Sequence, residues 1–295
     1  MRIFVTGATG FVGSAVVKEL LAAGHDVLGL ARSDAAAASL AAEGATVQRG
    51  ALEDLDSLRE GARTSDAVIH TAFRHDFQHF AECCALDQRA IETLGDVLRG
   101  SDRRLLVTHG LALLTQSRAA TEDDTAPPLS KFYPRASEAA AMKIAERDVN
   151  VSVVRLPSSV HGAGDRWFIA LLARLAREKA VSAYVGEGTN RWSAVHRLDA
   201  AHVYTLALEK GAPGTRYHAV GDEGVALKDI AIAIGRQLDV PVVSKRREDA
   251  AAHFGWLAPF VEMDTRASSL RTRAVLGWSP QQPGLLADIN AGLYA

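Results

Sequence analysis

Two cysteines in 295 residues, adjacent at Cys83 and Cys84, cannot staple distant parts of the chain and lack metal-ligand spacing. A disulfide framework is therefore excluded, and the pair reads as packing residues in a helical pattern. No sign of charge dominates either: 33 Lys and Arg against 35 Asp and Glu leave a formal charge of -2. That balance gives no electrostatic reason to expect nucleic acid or an anionic membrane as a partner. No apolar run approaches a membrane span, and the start lacks a basic segment followed by an apolar stretch and a cleavage site, so a cytoplasmic, untargeted chain is expected. Internal repeats and low-complexity linkers are also missing. So are a Ser-His-Asp order around a nucleophile elbow and any cluster of metal ligands, which weakens hydrolase readings and predicts no metal.

What is present begins at the first residues. Arg2-Ile-Phe-Val-Thr6 is a short apolar, β-branched run that flows into Gly7-Ala-Thr-Gly10-Phe-Val-Gly13 and then into the helix-like Ser14 to Ala23. The pattern is strand, glycine turn, helix. If a dinucleotide sits here, Gly7 permits the tight turn, Gly10 lets backbone approach a pyrophosphate, and Gly13 lets helix and strand pack closely. The anion would rest on unpaired N–H groups at the positive end of the helix, lined by Thr9, Phe11 and Val12. The plain alternative is an incidental glycine turn in a βαβ unit.

Val27 to Ala31 reads as a second buried strand, and its end bears on cofactor choice. NAD folds usually place an acid here for the ribose 2′-OH, whereas NADP folds supply a cation for the 2′-phosphate. The chain offers Arg32 and Ser33, with Asp34 one step later. NADP is favoured over NAD, the alternative being that Arg32 is a solvated loop charge. Ala35 to Ala42 is rich in helix formers, Thr46 to Arg49 is a short third strand, Asp66 to Ala72 a fourth, and Asp76 to Arg99 a long helix ended by Gly100. Arg104 to Thr108 and Val151 to Leu156 supply strands five and six. Alternation with right-handed crossovers predicts an α/β fold with a doubly wound parallel sheet, its ligands beyond the carboxyl ends of the strands. Later helices are expected at Trp167 to Arg177, Leu227 to Leu238, around Asp264 to Leu276, and at Leu285 to Leu293, with Asp199 as an N-cap.

The Thr6-Gly-x-x-Gly-x-x-Gly13 form resembles the extended branch of the short-chain dehydrogenase/reductase superfamily, the NAD-dependent epimerase/dehydratase type, which includes sugar-nucleotide epimerases and carbonyl reductases. The resemblance implies further contacts. Leu52, in a Gly-x-Leu turn, would pack on the adenine; Thr71, Ala72 and Phe73, at the exit of the His70-containing strand, would pass beside the cofactor ribose. Pro157-Ser-Ser-Val160-His-Gly-Ala-Gly-Asp165 is similar to the segment that walls the nicotinamide, making Pro157 and Val160 cofactor contacts. It also implies a Rossmann domain over residues 1–157 and a mainly substrate-binding domain over 158–295, with 190–210 returning to the first. Alanine-rich helices allow the close packing of the family's homodimers.

The pattern breaks where the chemistry should be. The family normally places Tyr-x-x-x-Lys on the helix after strand five, one face presenting both side chains so that the lysine lowers the tyrosine pKa. The tyrosines here are 133, 184, 204, 217 and 294, and none has a lysine four residues on. In this the chain resembles atypical members of the branch. Tyr133, His109 and Thr108 are the candidates for acid–base work: a phenol in the right window, an imidazole that titrates near neutrality at a strand end, and a hydroxyl that could hold a carbonyl. His70 reads as a satisfied core histidine. For the substrate, His75, Trp167, Trp192, Arg191 and His196 suit a small organic ligand, with Arg191 able to hold a carboxylate or phosphate. The expected function is an NADP(H)-dependent oxidoreductase reducing a carbonyl, C=N or C=C group. A silent NADP(H)-binding sensor and, less favoured, an NAD-dependent sugar-nucleotide epimerase remain as alternatives.

Overall fold

The computed structural model describes residues 1–112, 114, 118–131 and 133–294. The chain opens with Arg2–Thr6 (β1), Phe11–Ala22 (α1), Asp26–Ala31 (β2), Asp34–Ala42 (α2), Thr46–Arg49 (β3) and Leu55–Arg63 (α3). Ala67–His70 (β4), Phe80–Leu98 (α4), Ser101–Gly110 (β5), Ser137–Ala145 (α5) and Val149–Leu156 (β6) follow. Then come Ser159–His161 (β7), Phe168–Glu178 (α6), Ser182–Val185 (β8), Arg191–His196 (β9), Arg197–Lys210 (α7) and Arg216–His218 (β10). The last part holds Asp222–Ala226 (β11), Leu227–Leu238 (α8), Val242–Lys245 (β12), Ala250–Phe254 (α9), Ala258–Val261 (α10), Leu270–Leu276 (α11) and Leu285–Asn290 (α12).

The seven strands of the main sheet lie in the order β3-β2-β1-β4-β5-β6-β10, all parallel. The order reverses between β1 and β4, so a crevice opens at their carboxyl ends, where ligands of such sheets bind. Alternation along β1 sorts its side chains. Ile3 and Val5 join Val16, Leu20 and the α7 residues Val203, Tyr204 and Ala207 on one face, while Phe4 joins Leu58, Ile91, Leu94 and Ile144 of α3, α4 and α5 on the other. Both faces are buried, which is why the strands read as continuous apolar runs.

A third core, built on Ile169, Leu172, Trp192, Ile230, Ile234, Phe254 and Leu285, holds the smaller lobe together. It contains the sheet β11-β9-β7 and the pair β12-β8. The return to the main sheet runs further than 190–210, because β10 pairs with β6 through Tyr217 opposite Val154.

Several helix assignments shift: α4 begins at Phe80 rather than Asp76, and α12 ends at Asn290 rather than Leu293. Asp199 is not the N-cap of α7: His196 holds that position and accepts the Leu198 N–H through Nδ1. Asp199, a turn inside, instead accepts the N–H groups of Gln281 and Gln282 at 2.9 and 3.0 Å, fastening the segment before α12. Helix α11 starts only at Leu270, since Thr265 and Ala267 make strand-like bridges to Trp192 and Ala120. Cys83 and Cys84 are free and buried, as packing residues. No helix among the described residues is long and apolar enough to cross a membrane.

Candidate active site

The glycine turn sits where β1 ends at the crevice. Gly7 has φ +69°, and a Cβ there would lie 2.7 Å from Ala72 N. A Cβ on Gly13 would lie 2.0 Å from the Gly7 carbonyl oxygen, so α1 can approach β1 this closely only without a side chain. Gly10 differs: it is exposed and extended, and a Cβ there would meet only the Gly7 carbonyl oxygen, at 3.0 Å. No side chain caps α1, which leaves the N–H groups of its first turn to an outside acceptor. Thr9 is exposed beside Gly10, and Phe11 and Val12 are half-buried at the start of the helix. Thr71 braces the floor by donating its hydroxyl to the Thr6 carbonyl at 2.8 Å. These features fit a dinucleotide pyrophosphate.

Around this turn lie the other expected cofactor residues. Arg32 and Ser33 are exposed at the end of β2, and Ser33 caps α2 by accepting the Ala36 N–H. Arg49, which the sequence reading passed over, ends β3 directly opposite Ala31. It donates to the Ser33 carbonyl at 2.8 Å and to Asp34 at 2.6 Å. Strand pairing is the signal that would have found it, because the register of β2 and β3 brings their carboxyl ends side by side. Leu52 is half-buried against the Phe4 core. Phe73 is half-buried, Pro157 is buried at the end of β6, and Val160 pairs with Val195 in β7.

At the end of β5 the chemistry-bearing side chains meet. His109 Nε2 and the Tyr133 hydroxyl are hydrogen-bonded at 2.9 Å, and both residues are buried. Tyr133 thus lies inside the molecule rather than in an exposed loop. Burial, then the Glu138 charge, pushes its phenol up to about 12. Burial, then the Arg135 charge, holds His109 down at about 3. This corrects the expectation that His109 titrates near neutrality: an imidazole sealed from water cannot be charged cheaply. Its Nδ1 has no partner among the described residues. Thr108 has spent its donor, giving its proton to the His70 carbonyl at 2.8 Å and meeting the Tyr204 hydroxyl at 2.7 Å. It cannot also donate to a substrate carbonyl without breaking that bond.

Tyr133 is held from both sides. Arg155 is fully buried and grips Glu138 with Nε and Nη2 at 2.8 and 2.7 Å. Burial raises the Glu138 carboxyl, but the Arg155 bonds outweigh it and bring it to about 2. The same guanidinium donates to the Asp124 carbonyl at 2.6 Å, ahead of Tyr133, and to His218 Nε2 at 3.1 Å. A second network crosses under the site. Thr6 Oγ1 meets His70 Nδ1 at 2.8 Å, His70 Nε2 meets Asp87 at 3.0 Å, and Ser137 donates to Asp87 at 2.6 Å. Burial pushes the Asp87 carboxyl up, yet the bonds from His70 and Ser137 and the nearby charges hold it below its ordinary value. His70 is therefore a satisfied core histidine.

The expected substrate residues divide. His75 and Trp167 are in contact, with ring centroids 4.5 Å apart. Trp192 is instead in the lobe core against Phe168, and Arg191 reaches out to the Gly224 carbonyl. They alternate on β9, so one points in and the other to solvent. His196 caps α7 and lies 3.9 Å from Asp288, the carboxylate that His161 contacts at 2.6 Å. It braces the seam between the lobes. No group of three or more candidate metal ligands occurs among the described residues.

The sequence pattern of the NAD dependent epimerase/dehydratase family matches residues 3–220. The chain belongs to that family. Members of this fold family bind a nicotinamide dinucleotide, and the epimerase/dehydratase chain is 47% identical over 294 residues to an uncharacterized protein of Schizosaccharomyces pombe, covering 100% of both. It is 28% identical to a 4-hydroxy-2-methyl-3-oxo-4-farnesyl-3,4-dihydroquinoline-1-oxide ketoreductase of Stigmatella aurantiaca, over 94% of this chain and 86% of that one. Among solved structures, a dTDP-glucose 4,6-dehydratase of Streptomyces venezuelae with NAD bound superposes with a TM-score of 0.78 at 20% identity, covering 99% of this chain and 96% of the other. At that identity the likeness speaks for the fold.

Proposed function

We propose that this family member is an NADP(H)-dependent oxidoreductase that reduces a carbonyl, C=N or C=C group of a small organic substrate. The observation that carries this reading is the buried His109–Tyr133 pair at the carboxyl end of β5, a proton donor held at the crevice where the family's dinucleotide binds. The bound nicotinamide supplies the hydride. Gly7, Gly10, Gly13 and the first turn of α1 hold its pyrophosphate, and Tyr133 gives a proton to the substrate oxygen as negative charge develops there. His109, with its proton on Nε2, donates to the phenol oxygen and steadies the charge Tyr133 acquires; solvent restores the proton afterwards.

A phenol raised to about 12 is still acidic enough to protonate an alkoxide. As a base it is poor, since at pH 7 only about one molecule in 10⁵ would be ionised. The phenol thus rests protonated, the form that reduction needs. Arg32, Arg49 and the Ser33-capped start of α2 make a corner suited to a 2′-phosphate, whereas Asp34, the acid available there, is already engaged by Arg49. The name of the Stigmatella relative, a ketoreductase, agrees with this direction of reaction.

The test is NADPH oxidation across a panel of ketones, aldehydes and imines, together with titration of NADPH and NADH. Turnover with at least one class, and tighter NADPH, is the expected result. Tight NADPH binding with no oxidation by any of them would overturn the enzymatic reading in favour of the silent sensor.

A further inference from the structure

Arg135 stands two residues after Tyr133, and its surroundings are unusual for a cation. Its guanidinium carbon lies 3.8 Å from the centroid of the Phe73 ring. Nε donates to Ser137 Oγ at 3.1 Å, and Ser137 in turn donates to Asp87. Among the described residues it has no carboxylate within ion-pair distance. The neighbouring acids are committed elsewhere: Glu138 to Arg155 and Arg216, Asp87 to His70 and Ser137. The Arg135 charge nevertheless bears on His75, Cys84, His109 and Tyr133, so it sits among the groups of the active site. A half-buried guanidinium with its terminal nitrogens unmatched by an anion is costly.

The Phe73 ring begins a line of aromatic side chains running outward. Phe73 meets His75 at 5.1 Å, His75 meets Trp167 at 4.5 Å and Phe77 at 6.5 Å, and Phe77 meets Trp256 at 5.0 Å. These residues come from three separate segments: the loop after β4, the turn before α6, and the stretch between α9 and α10. Trp167, Phe77 and Trp256 remain 37%, 39% and 49% exposed. Large rings gathered from distant segments and left open to water at the mouth of a site mark a place for an apolar ligand.

Resting on the oxidoreductase reading, we propose that Arg135 and the Phe73–His75–Trp167 rings form the substrate subsite, and that it takes a carbonyl compound carrying an aromatic ring and a carboxylate. The rings receive the aromatic part. The terminal nitrogens of Arg135 take the carboxylate in a fork, which places the adjoining carbonyl toward Tyr133.

Two probes of similar shape test this: phenylpyruvate, and phenylacetone, which lacks the carboxylate. Binding is followed by tryptophan fluorescence on the protein saturated with NADP⁺, so that nothing turns over, and again without cofactor; reduction is followed separately with NADPH. Phenylpyruvate should bind about 10- to 100-fold more tightly than phenylacetone. Arg135→Met should bring that ratio close to one, Arg135→Lys should restore part of it, and Trp167→Ala should weaken both probes. Equal affinity for the probes, no binding of phenylpyruvate, or a ratio indifferent to Arg135→Met would overturn the subsite. If phenylpyruvate binds through Arg135 but neither probe is reduced, the subsite stands, and the reductase reading falls only when the rest of the ketone, aldehyde and imine panel is untouched as well. If both are reduced alike whatever stands at 135, the reductase reading stands and the subsite falls.

Discussion

Replacing Tyr133 by Phe removes one oxygen atom from the centre of the site, and the structure fixes what should follow. The ring stays, so packing is kept. The lost hydroxyl is the partner of His109 Nε2 at 2.9 Å, and His109 Nδ1 is already unpartnered among the described residues. The variant therefore leaves a fully buried imidazole with neither nitrogen satisfied, which should cost about 1–3 kcal/mol of stability. Turnover should fall much further, by roughly 10²- to 10⁴-fold, if Tyr133 is the proton donor. NADPH affinity should hold, because Tyr133 is not among the groups assigned to the dinucleotide. The assay is steady-state kinetics on the best substrate of the carbonyl panel, with urea denaturation and NADPH titration of the same preparations. His109→Gln serves as the companion. If the two residues act as one unit, the double variant should be little slower than Tyr133→Phe alone. Turnover undiminished in Tyr133→Phe would refute the assignment, and a stability loss without a rate loss would make the pair purely structural.

Gly10→Ala should weaken NADPH binding at least tenfold while leaving a folded protein by circular dichroism, since its Cβ would meet only one carbonyl at 3.0 Å; Gly13→Ala should fail to fold, because its Cβ would lie 2.0 Å from backbone. Normal cofactor affinity in Gly10→Ala would mean the phosphates lie elsewhere. Arg32→Ala and Arg49→Ala should each narrow the preference for NADPH over NADH, with NADH affinity untouched; equal losses for both cofactors would count against a 2′-phosphate corner. Acid should destabilise the protein. His109, held near 3, and His218, held near 4, stay neutral in the fold while the unfolded chain binds protons near 6.5. Their contribution is thus complete above pH 6.5 and is lost as pH falls toward their folded values, at up to about 1.4 kcal/mol per pH unit for each. Urea midpoints for the native protein and His109→Gln between pH 7.5 and 5 should diverge, with the variant flatter; parallel curves would mean that His109 takes up its proton in the fold at the same pH as in the unfolded chain.

The Rossmann half was legible because its signals are local. A β-branched run, three glycines and an apolar helix follow one another between Arg2 and Ala22, and right-handed crossovers then order the strands. Tyr133 was visible only as a phenol in the right window; its burial depends on Arg155, on a strand laid down later, gripping both Asp124 and Glu138. Arg135 gave no signal, since its meaning lies in a ring sixty residues away. The smaller lobe was least readable. Its ties join residues far apart in sequence, Glu122 to Thr272 and His161 to Asp288, and no periodicity encodes such pairs. Arg191 and Trp192 show the same limit, because strand alternation assigns them opposite faces but does not say which face is the core.

The return of α7 and β10 to the main sheet bears on how such a chain could be divided or recombined. A fragment ending at residue 157 would keep the glycine turn but lose Val203, Tyr204, Ala207 and Tyr217, which cover the side of the sheet and α1 formed by Ile3, Val5, Val16 and Leu20. That surface would be bare, and β6 would become an unprotected edge able to pair with another copy. A smaller lobe from a relative cannot be grafted at one junction either. The exchange needs at least three junctions, one near residue 158 and one at each end of the 197–218 segment, and the graft must keep its own partner for the His161 position and supply Thr272 for His218.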